Sequence, residues 1–261
     1  MAVKRNTVNT FIDKQEIEYL SSQTQGMKAF DSNLKTRLSE AEIEGLKVWE
    51  YGKLLTSIDD FRGMRILDAG PGESTFCLYL KSLGADIVTI DYPQPFAPDK
   101  EGFRAKCFRS DVAVHFGTMT HMPYRNDSFD LVTCTSTIEH LDTDQKWKPI
   151  PHEDFIEATL QTLSEMCRII KPGGYLYITS DAYDPKRQNT DNWSLAFMFN
   201  GIGAAYSIYD IENIFVNTIE KGGLSFVNGY DYSPNLVVRD PQRCNYRGRY
   251  FTTFAVLAQK P

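Results

Sequence analysis

The spacing of apolar positions changes several times along the chain, and each change predicts an element. Residues 1 to about 38 are polar and mixed, with one amphipathic stretch from Phe11-Ile12 through Ile17 to Tyr19-Leu20. That stretch reads as a helical arm over the domain or over a substrate mouth. Ser39-Glu40-Ala41-Glu42 is a capping box, and Ile43, Leu46, Trp49 and Leu54 follow at helical spacing, predicting a helix from about 40 to 57. From Met64 the period shortens. Arg65-Ile66-Leu67-Asp68 is a short buried strand that meets the turn Ala69-Gly70-Pro71-Gly72-Glu73-Ser74. Phe76, Tyr79, Leu80 and Leu83 then recur on one helical face, with Gly84 placed to end the helix, and Asp86 to Asp91 forms a second strand. Strand, turn, helix and strand in this order make a βαβ unit, which requires a parallel sheet.

The alternation continues. Val112 to Phe116 and Phe129 to Cys134 are the third and fourth strands. Residues 154 to 170 form a helix stopped by Lys171-Pro172-Gly173-Gly174, and Tyr175 to Ser180 is the fifth strand. A helix from Ile208 to Ile219, closed by Gly222-Gly223, precedes a strand near Leu224 to Val227, and a last strand covers about 250 to 259. No internal repeat, low-complexity linker or composition break divides the chain. It reads as a single α/β domain over 1–261, with 1–57 as a helical extension.

Composition narrows the partners. Of 261 residues 42% are apolar, and 34 acidic against 28 basic side chains leave a charge of −6. That balance argues against binding a phosphate backbone, so no nucleic-acid partner is expected. No apolar run approaches the ~18–20 residues needed to cross a bilayer, and the N-terminus has no apolar signal core, so no membrane is expected either. Cys77, Cys107, Cys134, Cys167 and Cys244 are scattered, without a CxxC pair, and read as reduced thiols of a cytoplasmic protein. The four histidines show no metal-ligand spacing, and no metal site is expected. A homo-oligomer is compatible with the sequence but not indicated by it.

The glycine turn is the strongest chemical signal. A tight turn between a parallel strand and its helix lets a ligand approach the backbone at the carboxyl edge of a sheet. The run Gly70-Pro71-Gly72-Glu73-Ser74-Thr75 lacks the third glycine of a dinucleotide fingerprint and the lysine of a P-loop. Asp68 and Glu73 flank it instead. Two carboxylates repel a pyrophosphate but suit a ligand that carries an ammonium and a sulfonium.

In these residues the chain resembles the class I S-adenosylmethionine-dependent methyltransferases. Ile66 to Ser74 is similar to their first motif, with Ser74 where a glycine is common. The block Phe116 to Tyr124 followed by Asp127 to Val132, then Thr133 to Leu141 and Ile170 to Leu176, follow in the family's order. The resemblance implies a Rossmann-like, seven-stranded, mostly parallel sheet with helices on both faces. It implies S-adenosylmethionine as cofactor, held by Asp68, Gly70, Gly72, Asp91, Tyr92, Thr118, Met119 and Thr135. In the family the acid at Asp91 bonds both ribose hydroxyls; a plain strand-end acid is the competing reading. Asp68 either holds the turn or touches the ligand, and Tyr92 either flanks the adenine or sits on the surface. Thr118 replaces the usual Asp that holds the adenine amino group, while Met119 packs on the ring.

Methyl transfer needs a nucleophile held in line with the methyl carbon and water kept out; a general base helps a neutral hydroxyl. The candidates are His140, whose pairing with Glu139 resembles ubiquinone-pathway O-methyltransferases, and Asp181, just past the fifth strand. Ser136 stands where those relatives place an acid linked to a metal. In the competing reading, Glu139 and His140 only cap and orient a short helix. Two insertions, 142–153 with Trp147 and the aromatic 182–206, are predicted to cover a small-molecule or glycan acceptor. The expected function is methyl transfer from S-adenosylmethionine to an O or N atom of such an acceptor. The competing functions are a protein or RNA methyltransferase, for which Arg239, Arg243, Arg247 and Arg249 are the modest basic cluster, and a non-catalytic donor-binding module.

Overall fold

A computed structural model describes residues 9–11, 14–22, 24–27, 46–72, 74–92, 107, 110–142, 150–184, 205–232 and 251–261. The capping box at 39–42, Glu73, Trp147, the middle of both predicted insertions and the arginine cluster at 239–249 lie outside the described residues. Along the chain the elements are β1 (Asn9–Thr10), α1 (Lys14–Ser21), α2 (Leu46–Ser57), β2 (Arg65–Ala69), α3 (Phe76–Ser82), β3 (Asp86–Asp91), β4 (Ala113–Phe116) and β5 (Phe129–Thr135). After a 3-10 turn (Ile138–Asp142) come α4 (His152–Ile169), β6 (Ile170–Tyr183) and β7 (Tyr206–Ser207). A π-helical turn (Glu212–Val216) then runs into α5 (Asn217–Lys221), followed by β8 (Ser225–Phe226), β9 (Tyr230–Asp231) and β10 (Phe251–Gln259).

The main sheet has the order β4-β3-β2-β5-β6-β10-β8, and β7 pairs with β6. It is parallel from β4 to β6, and β10 joins antiparallel. Alternate side chains of each strand feed two cores. Leu67, Val88, Ile90 and Val132 face α4 and the π turn, while Ile66, Ile87 and Leu131 face α2 and α3. Helices thus cover both faces, as expected. The strand count differs: eight strands rather than the seven expected. β5 stops pairing at Thr179, whereas β6 continues to Tyr183 instead of ending near Ser180, so its exposed edge is filled by the short β7 at Ala182 and Tyr183.

β6 also begins earlier than predicted. Lys171-Pro172-Gly173-Gly174 is a bulge inside the strand, because the pairing with β5 jumps from Phe129↔Ile170 to Leu131↔Tyr175. Gly173 takes a positive φ there, and Gly173 and Gly174 exchange backbone hydrogen bonds with Lys260.

The N-terminal stretch is a strap. Asn9 is fully buried; its Nδ2 donates to the carbonyls of Val227 (2.9 Å) and Gly229 (2.7 Å), and its Oδ1 accepts from the Leu257 N–H. Phe11 is buried beside Tyr232 and bridges to Phe254. From this anchor α1 lies along α2, and a Cβ at Gly52 would come within 2.8 Å of Leu20.

Chain order gives the sheet its switch point. β2 leads outward to β3 and β4, after which the chain returns to place β5 on the other side of β2. In open α/β sheets the crevice at such a reversal, beyond the strand carboxyl ends, is where ligands bind. Here the turns after β2 and β5 interlock: a Cβ at Gly70 would lie 2.0 Å from Thr137 Cγ2, and Thr137 Oγ1 donates to the Gly70 carbonyl at 2.7 Å. Gly70 is thus demanded by its neighbour as well as by its φ of +71°. Gly70→Ala is expected to cost about 2–4 kcal/mol of unfolding free energy in urea titrations. Adding Thr137→Ser, which removes Cγ2 but keeps the hydroxyl, should recover about half; no recovery would leave backbone strain as the whole cost.

Candidate active site

The turn after β2 opens toward the switch-point crevice. Gly72 has φ +56°, and a Cβ there would meet nothing within 4 Å among the described residues, so the backbone is open to them on that side. Beside it, Tyr51 of α2 stacks on Phe76 at 4.2 Å between ring centroids and hydrogen-bonds Ser74 Oγ at 2.7 Å. Burial, only partly offset by Lys47, pushes the Tyr51 phenol up to about 12, so it stays a neutral hydroxyl. Trp49 is fully buried, and its indole N–H donates to Glu16 Oε2 at 2.8 Å.

The residues expected to hold the donor follow the carboxyl ends of β2, β3 and β4. Asp68, 2% exposed, closes β2 and accepts the Thr133 hydroxyl at 2.8 Å, a contact to β5 rather than to the turn's own amides. Burial raises its carboxyl to about 6; Thr133 opposes this, Asp91 adds to it and Lys47 opposes it. Asp91 ends β3, one strand over, and its Oδ1 accepts the Tyr92 N–H at 2.8 Å. Tyr92 is 38% exposed at the crevice edge. Thr118 turns its hydroxyl to Thr120, with Oγ1 to Oγ1 at 2.7 Å and the Thr120 N–H at 3.2 Å, so it caps its own loop. Met119 packs half-buried against the core beneath it. The open backbone at Gly72, the strand-end carboxylate of Asp91 and the acidic floor fit a ligand with ribose hydroxyls and positive charge.

On the other side of the crevice, β5 ends at Thr135, and Ser136 adopts a positive φ of 47°. The Ser136 N–H reaches the Thr179 carbonyl at 3.0 Å, and its hydroxyl donates to Glu50 Oε1 at 2.5 Å. The 3-10 turn that follows sends two neighbours opposite ways. Glu139 is buried and accepts the Ser180 hydroxyl at 2.9 Å. Burial, reinforced by Asp181, raises Glu139 well above its usual range. His140 is exposed, and its imidazole has no hydrogen-bond partner among the described residues. Desolvation by the crevice around it, then Lys47, lowers its pKa against the pull of Asp91, which favours the neutral imidazole. Asp181, half-buried on β6, accepts the Thr253 hydroxyl at 2.9 Å. Burial lifts it to about 6; Thr253 and Lys47 oppose the rise and Glu50 adds to it.

The sequence reading missed two residues here. Glu50, fully buried on α2, takes Ser136 and Thr179 hydroxyls on Oε1 (2.5 and 2.7 Å) and the Lys47 ammonium at 2.6 Å on Oε2. Lys47 is thereby held among the carboxylates. Burial alone would lower its pKa, but the Glu50 carboxylate and then Tyr51 more than reverse that, so it stays charged. Among the described residues no group of His, Cys, Asp and Glu could hold a metal ion.

Asp68 leaves a measurable signature. Its carboxyl binds a proton more tightly folded (about 6) than at the model-compound value of 3.8. Its contribution to stability is therefore fully present below about pH 4 and lost as pH rises through 6. Asp68→Asn keeps an oxygen for Thr133 and removes that loss. Urea unfolding at pH 8 should show a gain of about 1–3 kcal/mol that vanishes at pH 4. An equal gain at both pH values would locate the effect in packing.

Known proteins match this chain in sequence and fold. A family described as a methyltransferase domain matches residues 47–218. A demethylmenaquinone methyltransferase of Beutenbergia cavernae is 28% identical over 123 residues, 47% of this chain and 43% of the relative. The methyltransferase GfsG of Streptomyces halstedii is 24% identical over 185 residues, 69% of this chain and 60% of its own length. The matched segments thus span less than two thirds of either relative. Among solved structures, geranyl diphosphate C-methyltransferase of Streptomyces coelicolor, in complex with S-adenosyl-L-homocysteine, superposes with a TM-score of 0.56 at 11% identity, covering 99% of this chain and 92% of that one. An S-adenosylmethionine-dependent methyltransferase of Mesorhizobium loti gives 0.53 at 13% identity, covering 81% and 97%. At such identities the structures speak for the fold. With the family match running from α2 through the glycine turn to the π turn, the chain belongs to the methyltransferase-domain family of class I, S-adenosylmethionine-dependent type.

Proposed function

We propose that the chain transfers a methyl group from S-adenosylmethionine to an O or N atom of a small-molecule or sugar-type acceptor. The observation that carries this reading is the pair of unlike ends of one crevice. A bare glycine turn with Asp68 and Asp91 lies on one side, and a neutral His140 with a half-buried Asp181 lies on the other. When bound, S-adenosylmethionine supplies an electrophilic methyl carbon on a cationic sulfur.

The protein's part is to bind, orient and manage one proton. Asp91 offers a carboxylate to two ribose hydroxyls, and Gly72 lets the backbone come close to the amino-acid end. Thr135 and Ser136, at the end of β5, begin the second side, where Thr137 meets the Gly70 carbonyl. A hydroxyl or amine that forms a new bond to carbon must lose a proton, and His140 or Asp181 can take it. The small-molecule name of one relative, a demethylmenaquinone methyltransferase, supports this acceptor class, as does the acidic balance of the chain, which disfavours nucleic acid. Four buried free thiols support a cytoplasmic setting, and among the described residues no helix is long and apolar enough to cross a membrane. A labelled donor incubated with a metabolite extract, followed by mass spectrometry, tests the reading directly. Label appearing only in protein or RNA would refute it.

Two substitutions separate the two sides of the crevice. Asp91→Ala should weaken S-adenosylhomocysteine binding by more than about tenfold in calorimetry, because a charged acceptor of two hydroxyls is lost. Unchanged affinity would remove Asp91 from the ribose. His140→Ala should slow turnover while leaving donor affinity within about twofold, the pattern of a group that acts only on the reacting proton. A pure loss of donor affinity would move His140 to the donor pocket.

A further inference from the structure

The donor carries a carboxylate as well as an ammonium, and the acids at the strand ends repel it. A cation must answer that charge. Lys47, in the first turn of α2, is placed to do so. Its ammonium lies 2.6 Å from Glu50 Oε2, with the Lys47 side chain 26% exposed and that of Glu50 fully buried. Glu50 cannot turn away, because Oε1 is held by Ser136 (2.5 Å) at the end of β5 and by Thr179 (2.7 Å) on β6. The same ammonium lies 5.7 Å from the centre of the Tyr51 ring. The Tyr51 hydroxyl meets Ser74 Oγ at 2.7 Å, and the Ser74 N–H donates to the Pro71 carbonyl at 2.9 Å, within the glycine turn. One positive charge is thus fixed between the turn after β2 and the ends of β5 and β6. An ammonium has three donors, and among the described residues this one meets no acceptor besides Glu50.

We propose that Lys47 binds the carboxylate of S-adenosylmethionine and of its product, with Glu50 holding the ammonium in place. A lysine head on its four-carbon stem is otherwise a mobile point charge. Glu50, fully buried, does not reach the ligand and acts only as the anchor. The division of labour follows from charge. Acids suit the ammonium and sulfonium of the donor, and the lysine among them suits its carboxylate. A nucleoside sulfide without the carboxylate would gain nothing from Lys47 and would be discriminated against. The inference deepens the proposed function and rests on its placement of the donor at the glycine turn.

Calorimetry of the full chain with two ligands tests this: S-adenosyl-L-homocysteine and its decarboxylated analogue, which keeps the adenine, ribose, sulfur and ammonium. The wild-type chain should bind the first more tightly by about tenfold or more, the worth of a hydrogen bond between charged groups. In an acidic cleft without a cation for the carboxylate, the order would be reversed. Lys47→Met should abolish the difference by weakening S-adenosylhomocysteine while leaving the analogue within about twofold. Lys47→Met leaves the buried Glu50 charge without its cation. If that variant does not fold, Lys47→Met with Glu50→Gln removes both charges and should show the same loss of discrimination. Equal binding of the two ligands by wild type overturns the proposal. So does a Lys47→Met chain, or the double variant, that still prefers the carboxylate, or that weakens both ligands alike. Wild-type chain that binds neither ligand would instead overturn the placement of the donor itself, so the two failures are distinguishable.

Discussion

The architecture of the crevice depends on one buried carboxylate. Glu50 lies where α2 crosses the carboxyl ends of β5 and β6, and all its polar contacts run to parts of the site. Moving a carboxylate from water into the interior costs several kcal/mol, recovered only through good geometry and full hydrogen bonding. Two hydroxyls on Oε1 and the Lys47 ammonium beside Oε2, an ion contact without hydrogen-bond geometry, supply part of that compensation. Because the compensation is directional, α2 cannot slide along the sheet without leaving the charge unpaired. The same constraint fixes Tyr51 on the glycine turn and Ser136 in its left-handed conformation.

The strap makes this arrangement durable. Asn9 and Phe11 anchor the N-terminal segment to β8, β9 and β10, and α1 then supplies Glu16 to both Trp49 and Lys53 of α2. α2 is therefore tied to the sheet through Glu50 and to the N-terminal strap through Glu16. Loops that bind ligands usually belong to the least stable parts of a fold, so a helix tied at both contacts leaves motion to the loops around it.

How much of this could be read from the chain follows from the range of each interaction. The strand–turn–helix unit, its glycines and Asp91 were legible because they are local: alternation, helical spacing and a turn residue act within a few positions. The extra strand at Tyr206–Ser207 was not, because it exists only to pair the overhanging end of β6. Nor was the bulge, since Gly173 and Gly174 read equally well as a helix stop. Glu50 was hidden for a stronger reason. Its partners Ser136 and Thr179 are 86 and 129 residues away, and Lys47 three positions before it looks like an ordinary surface pair. One local clue existed. Val48, Trp49, Tyr51 and Leu54 leave α2 little solvent-facing side, and a charge inside a helix buried nearly all round must have a partner in the fold.

The two sides of the crevice share one electrostatic logic. Asp68 and Asp181 both rise to about 6 because burial penalises their charge, and Lys47 opposes the rise at both. A cationic ligand placed beside Asp68 opposes it further, since a positive charge favours the ionised carboxyl. Donor binding and deprotonation of the floor are therefore linked, and by the reciprocity of linkage the donor is held more tightly once Asp68 has lost its proton. After methyl transfer the sulfur is neutral, and that reason for Asp68 to stay ionised is gone. In the proposed reaction, an acidic floor that attracts the donor's sulfonium would lose that attraction in the product, which keeps only the amino-acid charges, and a buried, costly carboxylate would then serve turnover as well as binding.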